Sequence, residues 1–156
     1  MNYDRKYMQL AIEKCKEGIM QGQSPFGACI VKNNEVVSCE HNIVWKSTDI
    51  TAHAEINAIR VACKKLNSID LSGCTIYSTC EPCPMCFAAC HWARIDKIVF
   101  GTSIEDAKET GFNELQISDE TLKKLGNSNV EIVSGFMKGE NQELFNLWKS
   151  KKNKEY

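Results

Sequence analysis

The chain has 156 residues, 43% hydrophobic and 25% charged, with a net charge of −1. That length fits one domain, residues 1–156, with a full core, and the composition excludes disordered and fibrous classes. A charge so near zero supplies no general field for a nucleic-acid backbone; the local exception, Lys149, Lys151, Lys152 and Lys154, reads as a solvated helix end.

There is no run of eighteen apolar residues and no leader sequence, so the expectation is a cytoplasmic protein without a membrane span. In chain order, Asp4 to Gln21 places Tyr7, Leu10, Ala11, Cys15 and Ile19 at helical spacing, and Gly22 closes the helix. Ala28–Val31 and Glu35–Cys39 are β-prone runs joined by Asn33-Asn34, a pair that tolerates the positive φ of a tight hairpin. His41 to Asp49 is polar and irregular. Thr51 to Leu66 predicts a helix with Ala52, Ile56, Ile59, Ala62 and Cys63 on its apolar face. Cys74–Thr79 reads as a strand, Cys83–Trp92 as a helix and Ile95–Gly101 as a buried strand. Ser103–Gln116 is a loop or short helix, Ser118–Leu125 a short capped helix, Val130–Val133 a fifth strand, and Asn141 to about Lys152 an amphipathic helix. No repeat or linker interrupts this order, which predicts an α/β fold: a central five-stranded sheet flanked by helices.

Two stretches carry the chemistry: Thr51-Ala52-His53-Ala54-Glu55 and Cys80-Glu81-Pro82-Cys83-Pro84-Met85-Cys86. His53, Cys83 and Cys86 offer one imidazole nitrogen and two thiolates, a ligand set for tetrahedral zinc that leaves the fourth corner to water. Glu55, two residues from the histidine, stands where a proton shuttle is needed without itself binding the metal. Both groups fall at predicted helix starts, whose unpaired N–H groups favour metal-bound and anionic oxygen nearby. A closed zinc knuckle with Cys80 as fourth ligand is the competing reading, and it leaves Glu55 without a purpose. Cys80 also reads simply as the buried end of its strand. Nine cysteines, an odd number with no export signal, do not form a disulfide framework. Cys15, Cys29, Cys39, Cys63, Cys74 and Cys90 read as small buried hydrophobes. In the loop after the hairpin, Asn42 offers a donor and an acceptor to a base edge, or serves as a turn former; His41 is the weaker candidate.

His53-Ala54-Glu55 with Pro82-Cys83-Pro84-Met85-Cys86 resembles the zinc-dependent cytidine and nucleobase deaminases. The whole chain is similar to that family, which implies its three-layer α/β/α fold with a mixed sheet and a Zn2+ cofactor. Two branches share the Pro-Cys-x-Met-Cys form: the bacterial guanine deaminases and the tRNA-specific adenosine deaminases. The chain is more similar to the guanine branch, at Gln23 to Ala28, at Glu109-Thr110-Gly111-Phe112, and in a lysine-rich end closing on Tyr156. That resemblance implies a homodimer in which a segment of about 140–156 is exchanged and Tyr156 acts as a lid. It also implies a base held by Asn42 on one side and Glu114 on the other, with the backbone N–H of Ala54 on a base acceptor and Phe26 as stacking surface or core. Where the guanine branch carries Gly-Phe-Asp, this chain reads Gly111-Phe112-Asn113-Glu114, which keeps a carboxylate one methylene longer. The expected reaction is hydrolysis of a small purine, guanine to xanthine and ammonia, with adenosine in tRNA or another guanine-like heterocycle as the alternatives. A catalytically silent zinc or oligomerisation module is the reading of another class, and Glu55 speaks against it.

Overall fold

The structure, a computed structural model, describes residues 4–156. Helix α1 (Arg5–Met20) begins at Asp4, whose side chain accepts the Lys6 N–H. Strands β1 (Gly27–Lys32) and β2 (Glu35–His41) form the predicted hairpin, with Asn33 and Asn34 at φ 51° and 63°. A single helical turn, α2 (Val44–Ser47), follows where an irregular loop is predicted; Asn42 Oδ1 accepts the Val44 N–H and starts it. Then come α3 (Ala54–Leu66), β3 (Cys74–Cys80), α4 (Pro84–Trp92), β4 (Lys97–Thr102), α5 (Ile104–Thr110), α6 (Asp119–Gly126), β5 (Glu131–Val133) and α7 (Lys138–Ser150).

The sheet order is β2-β1-β3-β4-β5. β1 runs antiparallel to β2 and β3, while β3, β4 and β5 are parallel, as helical crossovers between successive strands require. Alternation along each strand feeds two cores. Ala28, Ile30, Ile76, Ile98 and Phe100 face α3 and α4; Cys29, Val31, Tyr77 and Val99 face α1 and α7. The result is the expected α/β/α sandwich with a five-stranded mixed sheet.

Three details differ from the periodicity. α3 buries its small residues, Ala54, Ala58 and Ala62, which allow it to approach the sheet closely, and leaves Ile56, Ile59 and Cys63 half-buried. α1 buries Met8 and Ile12 while Leu10 is 42% exposed. α7 starts at Lys138, before Asn141, because Met137 takes a left-handed turn and Asn141 Nδ2 donates back to the Phe136 and Met137 carbonyls.

Candidate active site

The parallel strands end where α3 and α4 begin, and the metal-binding residues stand at that edge. His53 and Cys83 occupy the cap positions of α3 and α4, both in extended backbone (ψ 159° and 166°), and Pro84 opens α4. Cys86 follows in the first turn. Proline's fixed φ and missing N–H suit it to that place, so the sequence sets the angle at which Cys83 and Cys86 converge. Asn57 Nδ2 donates to the carbonyls of His41 and Ala52, tying the start of α3 to the end of β2.

His53 Nδ1 lies 3.6 Å from Cys83 Sγ and 3.6 Å from Cys86 Sγ. Tetrahedral zinc with bonds of about 2.1 Å to nitrogen and 2.3 Å to sulfur separates such donors by about 3.6 Å, so the cradle has the right dimensions. Among the described residues these three form the one His/Cys/Asp/Glu group whose donor atoms all lie within 4.8 Å of one another. Cys80 is outside it: its thiol donates to the Ser103 carbonyl at 3.5 Å and it ends a buried strand, so among the described residues the group stays at three ligands. The Cys83 thiol is pulled down to about 4, chiefly because Cys86 donates a hydrogen bond to it, with His53 assisting against burial. That donation, together with burial, pushes Cys86 up. A divalent cation in the cradle allows both sulfurs to be thiolates. Burial opposes charge on His53, but its contact with Cys83 outweighs this and leaves its pKa raised.

Glu55 is buried beside this group. Ser78 Oγ donates to its Oε1 at 2.9 Å, and the Cys86 thiol faces its Oε2 at 3.5 Å. Desolvation raises its pKa, the condition for a carboxyl that must both take and return a proton. Ser78 was not singled out by the motif. Its signal is a lone hydroxyl on the inward face of β3, between Ile76 and Cys80.

Of the other predicted residues, Glu114 and Tyr156 line a cavity of about 290 Å3 together with His53, Cys83, Ile50 and Met85, whereas Asn42, Phe26 and Ala54 do not line it. Asn42 is fully buried; its Nδ2 donates to the Tyr156 hydroxyl at 2.6 Å. The Tyr156 ring lies 5.8 Å from that of His53 and 5.6 Å from that of Phe112, and burial raises its hydroxyl pKa. The tail thus folds over the metal ligands of the chain that carries it. Desolvation, followed by the negative charge of Cys83, raises Glu114 to about 7. Ala54 opens α3, so its N–H has no intrahelical acceptor. Phe26 packs edge-on to Phe112 at 5.0 Å and Phe145 at 6.1 Å and touches all three core clusters, the packing role of its two readings. His41 is buried against Gly18, its Nδ1 on the Asn42 carbonyl at 2.8 Å.

A profile of the cytidine and deoxycytidylate deaminase zinc-binding region matches residues 1–102. Guanine deaminase of Bacillus subtilis is 41% identical over 124 residues, 79% of each chain. A tRNA-specific adenosine deaminase of Aquifex aeolicus is 43% identical over 105 residues, 67% of this chain and 68% of that one. The solved guanine deaminase of Nitrosomonas europaea shares the fold, with a TM-score of 0.86 at 23% identity, over 96% of this chain and 86% of that one. A cradle sized for zinc, a buried acid beside it and a profile match over most of the chain converge, and the chain belongs to the cytidine and deoxycytidylate deaminase zinc-binding family as a zinc-dependent hydrolytic deaminase.

Proposed function

We propose that the chain deaminates a free purine base, guanine, to xanthine and ammonia. The observation that carries this reading is the C-terminal tail: Tyr156 lies over His53 with its hydroxyl on Asn42 and narrows the approach to the metal ligands, beside a cavity of about 290 Å3 that suits a small molecule. Glu114 supports it. Guanine offers N1–H and its amino group as neighbouring donors, and a carboxylate accepts both.

Bound zinc lowers the pKa of water toward neutrality and so supplies the nucleophile at physiological pH. Glu55, held by Ser78, would carry one water proton to the ring nitrogen next to C2, where it stays, and then the second, from the hydroxyl formed at C2, to the departing amine. Water adds at C2, the C2–N bond breaks, and ammonia leaves. Glu114 fixes the base from one side; on the other, Asn42 gives up its contact with the Tyr156 hydroxyl to donate Nδ2 to the base, the Ala54 N–H meets a base acceptor, and the Tyr156 ring excludes bulk water.

The second reading, deamination of adenosine in tRNA, rests on the Aquifex aeolicus relative, whose identity is as high. Ammonia release separates the two: guanine, and not a tRNA with adenosine at the wobble position, is the expected substrate, and release from tRNA alone would reject the proposal. 2,6-Diaminopurine, pyrimidine nucleosides and triazines belong in the same assay, since Glu114 is longer than the aspartate of the guanine branch. We further propose a homodimer, with or without exchange of residues 140–156. Met85, Ala88 and Trp92 form an apolar stripe on α4 beside the site, Trp92 being 81% exposed. Sedimentation at twice the 17.6 kDa chain mass is expected, and a monomer at micromolar concentration would rule it out.

A further inference from the structure

The C-terminal tetrapeptide is fastened more firmly than a chain end needs. Asn153 Nδ2 donates to the Ile19 carbonyl at 2.9 Å, and the Asn113 N–H to the Tyr156 carbonyl at 3.1 Å. Trp45 adds contacts of three kinds. Its Nε1 donates to the Lys154 carbonyl at 3.0 Å, its ring meets the Tyr156 ring at 6.4 Å and 63°, and the Lys154 ammonium stands 5.9 Å over the indole.

These contacts close a circuit. The Asn42 amide starts α2 through its oxygen, accepting the Val44 N–H at 3.0 Å, and meets the Tyr156 hydroxyl through its nitrogen. α2 presents Trp45, Trp45 grips the chain at Lys154, and two residues later Tyr156 returns to Asn42. Trp45 is 42% exposed, so core burial does not explain its place on a one-turn helix. Its polar and aromatic contacts point to the tail instead.

We propose that Trp45 is a positioning residue for deamination: it latches the C-terminal tetrapeptide over the metal centre and thereby sets where Tyr156 and Asn42 stand when substrate binds. The inference rests on the small-base reading above, since a site entered by a polynucleotide has no use for a closed tail.

The test is release of Tyr156 by carboxypeptidase Y from the full-length, zinc-loaded protein. Trp45→Ala is expected to speed release about tenfold, and Trp45→Phe, which keeps the ring but loses the N–H, about threefold. In Trp45→Ala the KM for guanine rises by about the same factor while kcat changes less than twofold, a split that loss of folded protein does not produce. If Trp45→Ala does not fold, Trp45→Phe carries the test. Release within twofold of wild type in the folded variants, or an unchanged guanine KM, overturns the proposal. The release readout needs no substrate. Faster release without any guanine turnover by the wild type therefore sinks the guanine reading alone, and guanine turnover with unchanged release sinks the latch alone.

Discussion

At the scale of single residues, two carboxyls near the metal cradle differ in environment and so in task. Glu55 is buried and fixed by one hydroxyl, while Glu114 stands across the cavity, half-buried. Replacing Glu55 by Gln keeps shape and zinc but removes the proton acceptor. Turnover should fall at least about a thousandfold with one zinc per chain retained by metal analysis, and residual activity near wild type would remove its shuttle role. Burial, and then the Cys83 charge, push the Glu114 carboxyl up to about 7. Only the carboxylate accepts two donors, so the KM for guanine should fall as pH rises through 7. Glu114→Gln should raise KM about tenfold at pH 8 and flatten that dependence. An identical pH profile in the variant would exclude Glu114 from binding.

At the scale of elements, the acid linking the helices behind the site is Glu81: its two oxygens accept the N–H groups of Ile104 and Asp119, where α5 and α6 begin. Asp119 itself is fully buried, and neither of its oxygens has a hydrogen-bond partner among the described residues. Burial, with Glu81 beside it, raises its pKa from an ordinary 3.8 to about 9. The folded chain holds this proton and the unfolded chain releases it, so the contribution is complete below pH 3.8 and is lost as pH rises toward 9, at about 1.4 kcal/mol per pH unit. Asp119→Asn should remove that slope between pH 5 and 8, read by denaturant unfolding at each pH; a slope equal to wild type would mean Asp119 is charged in the fold. Packing of α7 on the sheet depends on Gly101, where an added Cβ would collide with the Asn141 amide. Gly101→Ala should therefore cost about 1–3 kcal/mol, and an unchanged unfolding midpoint would show that α7 yields.

At the scale of the molecule, the zinc cradle joins α3 and α4 across the edge of the sheet, so metal and fold should be coupled. A chelator is expected to lower the thermal midpoint, with recovery on adding zinc; an unaffected midpoint would mean that the two helix starts are held by packing alone.

The sequence by itself determined the metal-ligand set, the place of the acid beside it, and the five strands with the long helices between them, because these are local; the one-turn α2 lies where the sequence reads as irregular loop. His53-Ala54-Glu55 and Cys83-Pro84-Met85-Cys86 each lie within one helical turn, and the hairpin needs only Asn33-Asn34. Phe26 had two readings on sequence, and its ring contacts give it a packing role. Tertiary structure decided what depends on distant partners: the 3.6 Å spacing of His53 to two sulfurs thirty and more residues away, Ser78 on Glu55, and which face of α3 is buried. It also decided the meeting of Tyr156 with Asn42, 114 positions apart, and the grip of Trp45 on that tail. Periodicity carries the direction of a side chain along its own helix or strand, whereas a contact between separate elements exists only once the sheet has brought them together.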